Sequence, residues 1–143
     1  MWAYFDTSAL VKRYIDEAGR RDVLRLLRRH DCVTSALLPV ELRSALRRRV
    51  SEGTLDAARV PEILRRVMAD RAYWTFVEVG TEVLDAAEKL VAIRFLRTLD
   101  AIHVASAQVF AVRAGVSDLL FVSADNRQTE AAAAIGLAVQ HIV

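Results

Sequence analysis

The chain has little of several residue types that shape other classes of protein. Its single cysteine, Cys32, excludes an internal disulfide and favours a reducing compartment such as the cytoplasm. Only two prolines and five glycines occur among 143 residues, so no long linker is expected. We therefore predict one domain over 1–143, built mostly of helices and strands.

Long apolar runs are also missing. The longest stretch without a formally charged residue, 131–143, has 13 residues, whereas a membrane-spanning helix needs about 20. The N-terminus has no basic start, and Asp6 interrupts its apolar run, so we expect no signal peptide. These absences predict a cytoplasmic protein with no membrane association.

Lysine is scarce, because arginine supplies 18 of the 20 basic residues. The net charge of +2 is unevenly distributed: residues 1–73 carry a net charge of +5, and residues 74–143 carry −3. Arginine binds phosphate well through its planar fork of donors. Solvated helix faces are the alternative explanation, and the charge alone does not decide between the two.

Strand and helix patterns alternate along the chain, which predicts an α/β fold with a mainly parallel sheet covered on both faces. About five strands are expected, at 2–5, 32–35, 74–79, 119–123 and 137–143. Helices are expected at 9–14, 21–29, 37–50, 57–71, 81–93, 99–114 and 127–135.

Four carboxylates stand in apolar surroundings. Asp6 and Asp125 directly follow strands, Glu41 begins the helix after the second strand, and Asp100 is the only charged residue in 99–112. Because sites in open parallel sheets form beyond the carboxyl ends of the strands, all four are expected at one edge. Asp118 precedes its strand and is expected at the opposite edge.

Each acid also has a structural explanation. Asp6 and Asp125 suit helix N-caps, Asp100 suits a helix N-terminus, and Glu41 suits a pair with Arg43 or an arginine one turn on. Together, however, four clustered carboxylates repel one another unless they are protonated or bind a cation. Since no cysteine or histidine cluster is present, Mg²⁺ or Mn²⁺ fits this set best.

Four segments of this sequence, in order, resemble the motifs of PIN-domain ribonucleases and most of all the VapC toxins of toxin–antitoxin pairs. They are YFDTSALVKRY (4–14), VELRSAL (40–46), LDAIHVASA (99–107) and FVSADNRQTEAAAAIGL (121–137). The resemblance implies a three-layer α/β/α PIN-like fold and RNA cleavage by metal-activated water. It places the family's acids, as catalytic residues and metal ligands, on Asp6, Glu41, Asp100 and Asp125. It places supporting polar residues on Ser8, Ser123 and Asn126.

The resemblance also implies partners: an RNA substrate, a small antitoxin protein and a second copy of the chain. Apolar residues in the helices over 9–15 and 21–29 suggest a groove for the antitoxin, namely Leu10, Val11, Tyr14, Leu24 and Leu27. The alternative is that these helices simply pack on the sheet. Two other functions stay open: a PIN nuclease of RNA processing, and a non-catalytic interaction module that keeps the acids.

Two further sets of residues have open roles. Arg43, Arg47 and Arg48 continue the helix that carries Glu41, so some of them are expected to contact RNA phosphates. His103 follows Asp100 by three residues, which places it near the site as a general base or, by the explanation we favour, as a hydrogen-bonded core histidine.

Overall fold

The computed structural model describes all 143 residues and contains one parallel sheet of five strands in the order β3-β2-β1-β4-β5. The strands are β1 (Trp2–Phe5), β2 (Asp31–Ser35), β3 (Thr75–Val77), β4 (Leu120–Ser123) and β5 (Ala138–His141). The central strand β1 pairs with β2 on one side, where Ala3 is opposite Cys32, and with β4 on the other, where Ala3 is opposite Leu120. The predicted parallel α/β fold is confirmed.

Seven α-helices surround the sheet, with short 3₁₀ turns at Val11–Arg13 and Ala57–Arg59. The helices are α1 (Thr7–Leu10), α2 (Arg20–Arg29), α3 (Leu38–Ser51), α4 (Val60–Arg71), α5 (Thr81–Ile93), α6 (Thr98–Ala114) and α7 (Asn126–Ala134). The predicted helix at 9–14 is therefore a single α-turn that tightens into a 3₁₀ turn. No helix combines the length and the apolar character that crossing a membrane requires.

Successive side chains along the strands alternate between the two faces of the sheet, so helices pack on both faces and the fold has three layers, α/β/α. Tyr4, Val33 and Phe121 face a core shared with α5, α6 and α7. Their neighbours Phe5 and Val122 face the opposite core, which α1, α2 and α3 cover. Successive strand side chains point to opposite faces, so both faces of β1 and β4 are buried.

A third apolar cluster joins the 3₁₀ turn after α1 to α3 and α4. Val11 and Tyr14 belong to this cluster, and Leu10 is buried in the core under α1 and α2. These three side chains are at most 1% exposed, so the expectation that they line an antitoxin groove is wrong. They stabilise the fold through burial of apolar surface. Leu24 and Leu27, the other two residues of that prediction, are half-buried.

The chain order creates a switch point in the sheet. From β1 the chain continues to β2 and β3 on one side, and it returns through α6 to β4 and β5 on the other. The helices that follow β1 and β4 therefore leave the sheet in opposite directions, which opens a crevice at the carboxyl ends of these strands.

Candidate active site

A cavity of about 470 Å³ occupies this crevice. All four predicted acids line it: Asp6 after β1, Glu41 in the first turn of α3, Asp100 in the first turn of α6, and Asp125 after β4. Asp118 is not among the residues that line it. The fold thus brings together carboxylates that are far apart in sequence.

Asp6 is buried, with 1% of its surface exposed, and its carboxylate accepts hydrogen bonds from three donors. Ser8 Oγ lies 2.8 Å from each carboxylate oxygen, Ser123 Oγ lies 2.9 Å from Oδ2, and the Ala9 N–H donates to Oδ1. The last bond makes Asp6 the N-cap of α1, so the capping explanation is correct and does not exclude a role in the site.

The two serines have their hydroxyl orientations fixed. Ser8 Oγ accepts the Ala124 N–H at 2.9 Å, and Ser123 Oγ accepts the Asp125 N–H at 3.0 Å. Because an ionised carboxylate only accepts hydrogen bonds, both hydroxyl protons are directed to Asp6. The serines therefore join Asp6 to the backbone that leads from β4 into α7.

Glu41 has different partners from the predicted arginines. Its Oε1 accepts hydrogen bonds from Thr7 Oγ1 at 2.9 Å and from His103 Nε2 at 2.6 Å. Oε2 has no protein hydrogen-bond partner. The alternative explanation, a pair between Glu41 and Arg43, is absent: the only ion-pair partner of Glu41 is His103, and Arg43 lines a groove on another face of α3.

Asp100 and Asp125 complete the cavity. Asp100 Oδ1 accepts a 2.8 Å hydrogen bond from Gln128 Nε2, a residue that the sequence did not single out. Asp125 is the N-cap of α7, where its Oδ1 accepts the N–H groups of Arg127 and Gln128. Asn126 is exposed, makes no side-chain hydrogen bond and does not line the cavity, so the structure gives it no contact with the acids.

Burial of the carboxyl groups is the main cause of the pKa shifts of Asp6 and Asp100. Burial raises the pKa of Asp6 against the opposing effects of the His103 charge and the hydrogen bonds from Ser8, Ala9 and Ser123. Burial also raises the pKa of Asp100, and the charge of Asp125 raises it further, although the Gln128 hydrogen bond opposes this.

Glu41 and His103 shift in opposite directions. Burial works to raise the pKa of Glu41, but the hydrogen bond and charge of His103 outweigh it and hold that pKa below its usual value. Burial works to lower the pKa of His103, but Glu41, with smaller contributions from Asp6 and Asp100, raises it. The two groups thus stabilise each other's charged form.

The basic residues at the cavity neutralise little of the negative charge of its carboxylates. Lys12 and Arg49 line it, but both form ion pairs with Glu17, at 3.2 and 3.0 Å. Arg48 also lines it and has no ion pair. Asp6, Asp100 and Asp125 have no salt bridge to any arginine or lysine, so the cavity retains a surplus of negative charge.

The predicted arginines separate into two groups. Arg48 lines the acidic cavity, whereas Arg43 and Arg47 line a second groove of about 480 Å³ between α3 and α4. Consecutive residues on a helix are about 100° apart around its axis, which is why Arg47 and Arg48 face different grooves.

The donors fit a hard divalent cation in kind and in charge, since every acid offers carboxylate oxygens and three of them have no basic partner. Gln128 adds a buried Oε1 without a hydrogen-bond partner, and buried polar atoms seldom remain unpaired. No three His, Cys, Asp or Glu side chains lie close enough together to form a finished ligand set.

Fold and cavity together define a parallel α/β protein with an acidic site at the switch point of its sheet. The chain belongs to the PIN domain family, whose model matches residues 3–134. It is similar to Ribonuclease VapC46 of Mycobacterium tuberculosis (strain ATCC 25618 / H37Rv), with 38% identity over 137 residues that cover 95% of this chain and 94% of the relative. Ribonuclease VapC35 of M. tuberculosis (strain CDC 1551 / Oshkosh) is 38% identical over 143 residues, covering 95% and 93%.

Solved structures share the fold. PAE2754 from Pyrobaculum aerophilum superposes with a TM-score of 0.62 at 21% identity, covering 92% of this chain and 84% of that one. FitAcB from Neisseria gonorrhoeae superposes with a TM-score of 0.67 at 15% identity, covering 96% and 95%. The predicted PIN-like fold is confirmed by these likenesses.

Proposed function

We propose that this protein is a metal-dependent endoribonuclease that acts as the toxin of a toxin–antitoxin pair. The observation that carries the proposal is the cavity at the switch point, lined by four carboxylates of which three have no basic partner. The relatives named Ribonuclease VapC, at 38% identity over nearly the whole chain, support RNA as the substrate. The cytoplasm, where RNA is made and translated, is the proposed location.

Asp6, Glu41, Asp100 and Asp125 are the proposed ligands of Mg²⁺ or Mn²⁺. Such an ion lowers the pKa of a bound water and offsets negative charge that develops on the scissile phosphate. Glu41 Oε2, which has no protein partner, is the oxygen most available as a ligand on that residue. The buried Gln128 Oε1 is an acceptor suited to a water molecule of the site.

The surrounding residues hold the carboxylates in place. Ser8 and Ser123 orient Asp6, Thr7 donates a hydrogen bond to Glu41, and Gln128 orients Asp100. Partners of this kind fix ligand geometry and typically change metal affinity or activity by about 10–100-fold when removed. Asp125 also fixes the first turn of α7, and with it Gln128.

The direct experiment is to express the intact protein and its Asp6→Asn variant, and to map RNA ends in the cells. We expect new 5′ ends at defined positions with the intact protein and none with the variant. Identical end maps would contradict the nuclease proposal. Equal amounts of both proteins, checked by immunoblot, are the control.

Arg48 is the proposed phosphate contact at the cavity. Replacing it by alanine should weaken RNA binding and make the salt dependence of log affinity shallower by about 0.7, the value for one phosphate contact on a single strand. Arg47→Ala is the matched control, because this neighbour faces the other groove and should leave affinity and slope unchanged.

Both arginine variants are measured by fluorescence anisotropy between 50 and 200 mM salt (roughly the range over which such contacts are resolved), in the Asp6→Asn background so that the RNA stays intact. An equal loss of RNA affinity in the two variants would contradict the proposal that Arg48, at the cavity, is the residue that contacts a phosphate.

The toxin role predicts specific behaviour of the whole protein. We expect a homodimer by light scattering, co-purification of a small protein when the chain is expressed from its native operon, and growth arrest when it is expressed alone. The cluster of carboxylates is a suitable receptor for an arginine of that partner. A strict monomer with no co-purifying protein and no growth arrest would contradict the toxin role while leaving the nuclease proposal intact.

A further inference from the structure

His103 lies between the apolar core and the acidic cavity, and both of its ring nitrogens are engaged. The ring belongs to α6, one turn after Asp100, and is 1% exposed. Nε2 lies 2.6 Å from Glu41 Oε1, and Nδ1 lies 2.8 Å from the Tyr4 hydroxyl. A free nitrogen that accepts a proton from a substrate or water is therefore absent, which disfavours a general base.

The proton on Nε2 can be assigned from chemistry. The Glu41 carboxylate only accepts hydrogen bonds, so Nε2 carries a proton and donates it to Oε1. The Tyr4 hydroxyl is able to donate to a bare Nδ1 or to accept from a protonated one. The chain of contacts from Tyr4 through His103 to Glu41 thus persists whichever charge the ring has.

Tyr4 is held within the apolar core of the sheet. It lies in the central strand β1, is 0% exposed, and its ring stacks on Phe121 of β4 with centroids 5.5 Å apart and planes 5° from parallel. The neighbouring strands β1 and β4 therefore fix the hydroxyl, the hydroxyl fixes the imidazole, and the imidazole contacts the carboxylate. Side chains held in this way keep a preorganised geometry.

We propose that His103, held by Tyr4, is a positioning residue that fixes the Glu41 carboxylate so that Oε2 is presented to the cation; the inference rests on the proposed function of the cavity. Thr7 supplies the second contact to the same Oε1, and the two donors together restrict rotation of the carboxylate. Packing alone is the competing explanation, and it requires only the shape of the ring.

Three variants separate these explanations. His103→Gln keeps an N–H donor near the position of Nε2, His103→Leu keeps bulk without a donor, and Tyr4→Phe removes only the hydroxyl. Each is measured for Mn²⁺ affinity by calorimetry, for kcat and KM on a short RNA, and for melting temperature without metal.

We expect His103→Leu to weaken Mn²⁺ binding and lower kcat by about 10–100-fold with little change in KM, since the contact acts on a metal ligand. His103→Gln should recover most of the loss, and Tyr4→Phe should show a smaller loss of the same kind. A purely packing role predicts lower melting temperatures with unchanged Mn²⁺ affinity, and that result would overturn the proposal.

A metal-free crystal structure of Tyr4→Phe and of His103→Leu provides a readout that does not depend on nuclease activity. We expect the Glu41 carboxylate to leave its position beside Thr7, or to occupy several positions, in at least the His103→Leu variant. An unchanged, ordered Glu41 in both variants would overturn the positioning role. If the intact protein cleaves no RNA, the proposed function fails, but the position of Glu41 still decides this inference.

Discussion

Asparagine in place of Asp6 or Asp100 is expected to abolish RNA cleavage while leaving the metal-free protein equally or more stable. Both residues are proposed cation ligands, and an ion at such a site stabilises the transition state by several kcal/mol. Each 1.36 kcal/mol corresponds to a tenfold change in rate, so we expect a loss of at least about 100-fold. Cleavage of a labelled RNA with purified proteins measures the loss.

The stability part of this prediction follows from the sign of the pKa shifts. Burial raises the pKa of Asp6 in the folded protein, so the folded state binds this proton more tightly than the unfolded state does. The contribution of Asp6 to stability therefore falls as the pH rises from the unfolded pKa of about 3.9 through the higher folded value. Asparagine removes this penalty and still caps α1 well.

Melting temperatures measured across pH test the argument. The Asp6→Asn variant should be at least as stable as the intact protein near neutral pH, and the difference should shrink as the pH falls below the pKa of the folded carboxyl. Asp118→Asn is the control, because this exposed acid lies outside the cavity. A large drop in melting temperature for Asp6→Asn would favour a purely structural role for the carboxylate.

The sequence was sufficient to predict which acids lie around one cavity, because the position of a residue relative to a strand or helix indicates where in the fold it lies. Asp6 and Asp125 directly follow buried strands, and parallel strands end at one edge of the sheet. Asp100 stands alone in a helix that is apolar on nearly all sides, so that helix had to lie in the core. These arguments need only the period of each element and the direction of its chain.

Contacts that depend on rotation about a helix axis were not predictable in the same way. The sequence does not show which way Leu10, Val11 and Tyr14 point. The path of α1 and of the 3₁₀ turn that follows it directs them into the interior instead of towards a partner. Arg47 and Arg48 are chemically identical neighbours, and the packing of α3 against α4 sends them to different grooves.

Hydrogen-bond partners were the least predictable part of the site. Gln128 lies three residues after Asp125, so the first turn of α7 brings its side chain back to the cavity. The sequence did offer one indication that Gln128 is buried: it lies on the same face of α7 as Ala131 and Ala132. The partner of Glu41 proved to be His103, 62 residues away, instead of an arginine on its own helix. Local spacing favours i,i+4 pairs, and it carries no information about a contact made across the sheet edge.

Removal of divalent ions is expected to stop RNA cleavage completely, and Mg²⁺ or Mn²⁺ is expected to restore it. Three carboxylates of the cavity have no basic partner, so without an ion their charges repel one another and the substrate phosphate. Mg²⁺ and Mn²⁺ suit oxygen ligands in an octahedral arrangement, whereas Ca²⁺ is larger and takes irregular coordination. We therefore expect Ca²⁺ to bind without restoring cleavage.

Thermal melts give a second readout of the same ion. A ligand that binds only the folded state stabilises it by about 2.7 kcal/mol at 100 times its Kd, so Mg²⁺ and Mn²⁺ should raise the melting temperature of the intact protein. The same additions should have little effect on Asp6→Asn, which lacks a proposed ligand, and Asp118→Asn should respond like the intact protein. Undiminished cleavage in excess chelator would contradict the metal mechanism, and an equal rise in melting temperature for Asp6→Asn would place the ion elsewhere on the molecule.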